Sequence, residues 1–341
     1  MRSTKTKLLY TVLYNAYSFF SNFYFTNRTL KTCFNWAAGN ICASPLGISA
    51  YKYIHNKFLR FPLRVQIETT SYCNAKCIMC AHPIMPRRNQ LMDQGLYEKI
   101  ISELALHRDE LKILSLHFMG EPLMDPLLFE RIKLAKQAGI QEVQFNTNTQ
   151  LLTPEKARLL LESGIDTITF SLGGLDKESQ DKRRIGTISH VVEQNIDYVI
   201  DLIDSCGNDR KKPKKFIYTI KNSSQDKAYL PIVKKYKNKV DGIAVVNQNN
   251  WGGESKNYEK DIHLTRHLIP CPFIFSEMLI NVNGKVNLCC IDYADKEIMG
   301  DVSTSSLYDI WNGKKMEAYR LLHLEKKSDR IRLCSECTIF R

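Results

Sequence analysis

The chain has 341 residues, of which 44% are hydrophobic and 25% charged, a balance that excludes a disordered, collagen-like or linker-dominated protein. Its length allows one large domain or two modest ones around an ample core. The formal net charge is +12, and nine Lys or Arg with no acid lie between Met1 and Ile67, so the signal for an anionic partner sits in the first fifth of the chain. Eleven cysteines are too sparse for a disulfide scaffold, and no cleavable signal peptide is evident, which points to a reducing, cytoplasmic setting.

Residues 1–60 read as a basic, aromatic helical arm. Leu8 to Asn27 carries no charged side chain and is long enough to cross a bilayer. Yet Thr11, Asn15, Ser18 and Asn22 form a polar stripe at helical spacing, opposite Leu9, Val12, Leu13, Phe20 and Tyr24. Such a helix suits an interface, so residues 1–27 are expected at an anionic membrane surface, peripheral to its inner face. The plainer alternative packs the helix on the main domain.

From Leu63 onward, short β-branched runs recur at Arg64–Thr70, Ile113–Met119, Glu142–Asn148, Thr167–Gly173, Lys215–Lys221 and Gly242–Gln248. Helical spacing fills the gaps at Gly95–His107, Leu127–Ala138, Pro154–Ser163, His190–Ser205 and Lys227–Tyr236. Six alternations predict an α/β fold, a partial (β/α)6 TIM-like barrel over 61–255 with its ligands at the carboxyl ends of the strands. The lysine-rich Arg210–Lys215 reads as a solvated loop, and no nucleic-acid partner is expected. After Trp251-Gly252-Gly253 the alternation stops, and 256–341 reads as a small Cys-rich α+β module. Asn283-Gly284 between two apolar runs predicts a hairpin, and Ser306–Leu324 a helix.

Eight of the cysteines fall into two groups. The first is Cys73-Asn-Ala-Lys-Cys77-Ile-Met-Cys80, directly after the first strand. Three thiolates on one loop hold three irons of a four-iron cluster and leave the fourth open; zinc would want a fourth ligand, for which His82 is available.

This loop resembles the cluster motif of the radical SAM superfamily, and the likeness follows the barrel through Leu63 to Arg341. Glu68-Thr-Thr-Ser-Tyr-Cys-Asn looks like the first-strand exit, and Met119-Gly120-Glu121-Pro122 like the motif that receives the amino group of S-adenosyl-L-methionine. Thr147-Asn148 and Ser171 match positions near the nucleoside, and Met79 lies within the cysteine loop. The resemblance therefore implies a [4Fe-4S] cluster on Cys73, Cys77 and Cys80, and cofactor contacts at Met79, Gly120, Glu121, Thr147, Asn148 and Ser171. Phe118 and Thr149 stand where many relatives carry Gly, and Gly173 where Asp is frequent.

The second group, Cys271, Cys289-Cys290 and Cys334-Ser-Glu-Cys337, resembles the SPASM/Twitch modules of the same superfamily. Gly284 precedes Cys289 by five positions, and the likeness implies one fully ligated auxiliary [4Fe-4S] cluster on Cys271, Cys289, Cys334 and Cys337. Cys290 can exchange roles with Cys289, and structural zinc is the rival on spacing alone. Cys33, Cys42 and Cys206 read as small buried hydrophobes.

The resemblance implies an iron-sulfur oxidoreductase that cleaves S-adenosyl-L-methionine reductively to a 5′-deoxyadenosyl radical, abstracts substrate hydrogen and passes one electron to the auxiliary cluster. A flavodoxin- or ferredoxin-type reductant is the implied partner. The expected substrate is a sugar, a cyclitol or a lipid-linked glycan; the alternatives are a peptide or protein maturase, and a non-catalytic iron-sulfur or zinc scaffold.

Overall fold

Period-2 alternation in the short runs decides how the barrel is built. The computed structural model describes residues 40–207, 211–223, 225–255 and 269–338. Six parallel strands follow in chain order: β1 (Arg64–Ile67), β2 (Ile113–Ser115), β3 (Val143–Thr147), β4 (Thr167–Leu172), β5 (Lys214–Lys221) and β6 (Gly242–Asn247). Val65, Ile67, Val143, Phe145, Ile168, Phe170 and Ile217 are buried in the shared apolar core. The residues between them, Arg64, Gln66, Gln144, Asn146, Thr169, Ser171 and Tyr218, stand on the opposite face and make the barrel interior polar.

Helices return the chain between strands. They are α1 (Pro45–Phe58), ahead of β1, and then α2 (Gln94–Leu106), α3 (Leu128–Gln137), α4 (Pro154–Glu162), α5 (Ser189–Ser205) and α6 (Tyr229–Tyr236). Each buries one apolar stripe; in α5 it is Val192, Ile196, Val199, Ile200 and Ile203, at steps of four, three, one and three. Asp93 caps α2 by accepting from Leu96 N at 2.9 Å, and Thr153 caps α4 through Lys156 N at 3.3 Å.

The predicted hairpin forms between β7 (Glu277–Ile280) and β8 (Lys285–Asn287), with Gly284 at φ 82°. It is not set apart from the barrel. β7 pairs in parallel with β1, Val65 opposite Met278 and Ile67 opposite Ile280, and β9 (Ile298–Asp301) closes the edge against β8. One nine-stranded sheet runs β9-β8-β7-β1-β2-β3-β4-β5-β6. Among the described residues no ladder joins β6 to the opposite edge, so the barrel is open.

Three expectations change. Ser306–Leu324 is two helices, α7 (Leu307–Trp311) and α8 (Lys314–Leu324), because Gly313 takes an extended ψ of 153° as the cap of the second. Cys42 and Cys206 are half-buried, not buried, since both lie at helix ends. The strand read as Arg64–Thr70 ends at Ile67, where Glu68 turns its carboxylate inward. The expected amphipathic helix of residues 8–27, its membrane contact and Cys33 lie outside the described residues. Among the described residues no helix is long and apolar enough to cross a membrane.

Candidate active site and cluster loops

The cysteine loop after β1 is fixed by backbone. Lys76 and Cys77 form a two-residue antiparallel ladder with Ile185 and Arg184, and Ile78 N donates to Arg183 O at 2.9 Å. Alternation in that ladder directs Cys77 and Arg184 to one side and Lys76, Ile78 and Ile185 to the other. Gly186, at φ 98°, leaves no room for a side chain, as a Cβ there would lie 2.4 Å from Asn74 O. Amides point at the sulfurs: Ala75 N donates to Cys73 Sγ at 3.5 Å and His82 N to Cys80 Sγ at 3.4 Å. Arg184 Nη1 stands 3.9 Å from Cys77 Sγ. Burial pushes the Cys73 and Cys80 thiols up to about 12, so ionising them requires metal charge. His82, offered as a zinc ligand, turns its Nε2 to the Ser71 carbonyl at 2.8 Å.

Gly120 places the exit of β2 against the exit of β1. A Cβ at this position would sit 2.1 Å from Thr70 O, and Glu121 N donates to Tyr72 O at 2.8 Å. Glu121 is buried and reaches across to β3. Its Oε1 accepts from Thr147 Oγ1 at 2.7 Å and Leu123 N at 3.2 Å, and its Oε2 from Asn148 N at 2.7 Å. Burial raises its pKa against these donors and Arg184. Asn148 Nδ2 then donates to Asn74 Oδ1 at 2.8 Å, tying β3 to the cysteine loop. Thr149 has φ 69°, the left-handed region in which Gly is at ease, and its amide is held by Thr147 Oγ1 at 2.9 Å. At the end of β4, Gly173 N is taken by Gln180 Oε1 at 2.7 Å, and a Cβ there would press Ser179 O at 3.1 Å.

One cleft gathers Cys73, Cys77, Met79, Cys80, Gly120, Glu121, Thr147, Asn148 and Ser171. Every residue expected at the first cluster and its cofactor therefore lines a single site. Met79 contributes backbone as well, its carbonyl accepting from Trp251 Nε1 at 2.8 Å. Sequence reasoning overlooked Arg184, Asn146 and Tyr218, which line the same cleft, along with Ile220, Gln248 and Trp251. A signal was present: Val-Gln-Phe-Asn and Thr-Ile-Thr-Phe-Ser alternate apolar with polar, which a parallel strand buried on both faces does not need. Arg184 is buried, and its Nε has no hydrogen-bond partner. His117 also lines the cleft; burial and Arg64 depress it to about 3, so its imidazole is neutral.

A second unforeseen feature joins the cleft to the hairpin. Glu68 is 0% exposed; its Oε2 accepts from Arg87 Nε at 2.7 Å and Val282 N at 3.2 Å, and its Oε1 from Met119 N at 3.3 Å. Arg87 Nη1 donates to Asp295 Oδ1 and Tyr293 O, both at 2.5 Å, and its guanidinium lies 5.4 Å from the Phe118 ring centroid.

The second cysteine group also converges. Burial pushes the Cys271, Cys289 and Cys290 thiols upward; Cys289 is further raised by Cys290, Cys334, Cys271 and Cys337, which places all five in one electrostatic neighbourhood. Cys290 is raised next by Glu277 and then by Cys271 and Cys337, and it bears on Tyr218 of the cleft. Cys334 Sγ lies 3.5 Å from His323 Nε2. Among the described residues no three His, Cys, Asp or Glu side chains close on a single-ion geometry; as a set of donors, four neighbouring thiols suit a four-iron cluster.

Comparison with known proteins agrees with this geometry. The family model for the radical SAM superfamily matches residues 67–208, and that for an iron-sulfur cluster-binding domain, SPASM, matches residues 271–338. A GTP 3′,8-cyclase of Chlorobaculum tepidum is 34% identical over 116 residues, covering 33% of this chain and 34% of its own; the chain spans about a third of such relatives. An S-adenosyl-L-methionine-dependent 2-deoxy-scyllo-inosamine dehydrogenase of Niallia circulans is 22% identical over 276 residues, 80% of this chain and 91% of its own. The crystal structure of Streptococcus suis SuiB bound to S-adenosylmethionine shares the fold with a TM-score of 0.64 at 18% identity, covering 80% of this chain and 70% of that one. The chain belongs to the radical SAM superfamily and carries a C-terminal SPASM domain, which makes S-adenosyl-L-methionine and two [4Fe-4S] clusters its cofactors.

Proposed function

We propose that this radical SAM enzyme dehydrogenates a hydroxyl-bearing substrate of the sugar or cyclitol class. The observation that carries the reading is the inner wall of the cleft. Asn146, Tyr218, Gln248 and Asn249 are neutral hydrogen-bonding groups, and Glu121 and Arg184 are its only formal charges among the described residues. A polyhydroxylated ring matches such a wall group by group, and an unmatched buried donor or acceptor would cost about 1–3 kcal/mol. The near full-length likeness to a cyclitol-amine dehydrogenase supports the same class.

In this reading Cys73, Cys77 and Cys80 hold the first cluster, and Cys271, Cys289, Cys334 and Cys337 the second. When bound, the cofactors supply a 5′-deoxyadenosyl radical and a one-electron acceptor. The chain's own residues bind and orient. Glu121, fixed by Thr147 and the Asn148 amide, presents carboxylate charge to the methionine amino group. Arg184, buried with an unpartnered Nε, gives the methionine carboxylate its counter-charge. Gly120 keeps the backbone low beside the cofactor, and Trp251, anchored on Met79 O, closes the cleft over the cysteine loop.

The test is anaerobic turnover of reconstituted protein with dithionite and S-adenosyl-L-methionine against panels of sugars, cyclitols and peptides. The expected result is 5′-deoxyadenosine formation raised by a polyol, with a product two hydrogens lighter. Stimulation by peptides alone would replace this reading with peptide maturation.

A further inference from the structure

His323 lies in the last turn of α8 and is 3% exposed. The Cys271 amide donates to its Nδ1 at 3.3 Å. An accepting Nδ1 carries no proton, so the proton of the neutral ring is on Nε2, which stands 3.5 Å from Cys334 Sγ. The ring therefore joins two cysteines that lie far apart in sequence, accepting at one and donating at the other. It is held stiffly. Arg320, one turn earlier on α8, donates through Nε to Ile274 O at 3.0 Å and through Nη1 to Trp311 O at 2.9 Å.

We propose that His323 is the positioning residue that sets the reduction potential of the auxiliary cluster, by donating its Nε2–H to the Cys334 sulfur. This rests on the assignment of Cys271 and Cys334 as ligands of that cluster. A hydrogen bond to a ligating thiolate draws off charge and favours the reduced, more negative cluster, which makes it the readier acceptor of a substrate electron. The amide at Nδ1 matters as much as the donor, because it fixes which nitrogen carries the proton.

The experiment is an EPR-monitored redox titration of full-length protein with both clusters, comparing His323→Leu and His323→Gln. Gln offers an oxygen to the Cys271 amide and an NH to Cys334, whereas Leu offers neither. In His323→Leu the reduced-to-oxidised ratio of the auxiliary cluster at fixed potential should fall about tenfold, a downward shift of ~59 mV for one electron. Gln should restore most of it, and the potential of the cluster on Cys73, Cys77 and Cys80 should stay put. An unshifted Leu variant, or equal shifts in both variants, overturns the proposal. Should His323→Leu fail to load its cluster, proton ENDOR of the reduced wild-type protein in H2O and D2O decides: a coupled exchangeable proton whose coupling changes in His323→Gln supports His323 as its donor, and its absence in wild type, or an unchanged coupling in His323→Gln, refutes it. Cys334→Ala is measured in parallel. If it keeps two clusters with unaltered spectra, the ligand assignment has failed, which is distinct from failure of the hydrogen bond.

Discussion

Arg87→Leu should destabilise the protein by about 3 kcal/mol and loosen both cluster regions together. Glu68 is 0% exposed, and Arg87 Nε at 2.7 Å is the cation that balances it. Removing one partner of a buried ion pair typically costs about 3–5 kcal/mol, because the survivor is left charged or must take up a proton. Here Glu68 keeps the amides of Met119 and Val282, at 3.3 and 3.2 Å, which holds the cost toward the lower end. The same change deprives Asp295 and the Tyr293 carbonyl of their shared donor at 2.5 Å, so β1, the exit of β2 and the hairpin lose their common anchor. Anaerobic thermal unfolding of cluster-loaded protein, followed by circular dichroism, should show a midpoint lower by roughly 5–10 °C. The double variant Glu68→Leu/Arg87→Leu removes both charges and should be less destabilised than the sum of the singles by about 2 kcal/mol. Strict additivity, or a loss below about 1 kcal/mol in Arg87→Leu, would refute the network as a source of stability.

Gly120→Ala forces a Cβ to within 2.1 Å of Thr70 O, so the exits of β1 and β2 must part; S-adenosyl-L-methionine affinity by equilibrium dialysis should fall at least ~10-fold, since small misplacements at a site cost that much or more. Replacing Cys73, Cys77 and Cys80 together by Ala should reduce iron from about eight to about four per chain after reconstitution, measured by iron and sulfide assay. His55 is depressed to about 4, first by burial and then by Arg320, whose Nη1 lies 3.0 Å from its Nε2. The unfolded chain takes up this proton near pH 6.5 and the folded chain does not, so stability is full above that pH and declines as pH falls toward 4. By pH 5.5 the loss is roughly 1 kcal/mol, and His55→Gln should flatten the midpoint difference between pH 7.5 and 5.5 relative to wild type.

The sequence by itself determined the alternation of the barrel, because six β-branched runs separated by helical stripes have one economical packing. It also determined the chemistry at the first strand exit: Cys73, Cys77 and Cys80 fall within a single loop, so their meeting is a local matter. Gly120-Glu121-Pro122 was legible for the same reason, and the hairpin at Gly284 because its turn demands positive φ. What lay hidden depends on partners distant in the chain. Arg184 faces Cys77 only through a ladder spanning more than a hundred residues, and Glu68 finds Arg87, Met119 and Val282 only once three strand ends converge. The helix read through Ser306–Leu324 breaks at Gly313, whose extended backbone caps α8, and which partners Arg320 and His323 then meet, Ile274 O and Cys334 Sγ, is settled elsewhere in the chain. Composition and periodicity specify which face of an element is apolar; which polar group meets which across the barrel is a property of tertiary closure. The pairing of β7 with β1 decides it here, since that one parallel register carries the second cysteine group onto the sheet that holds the first.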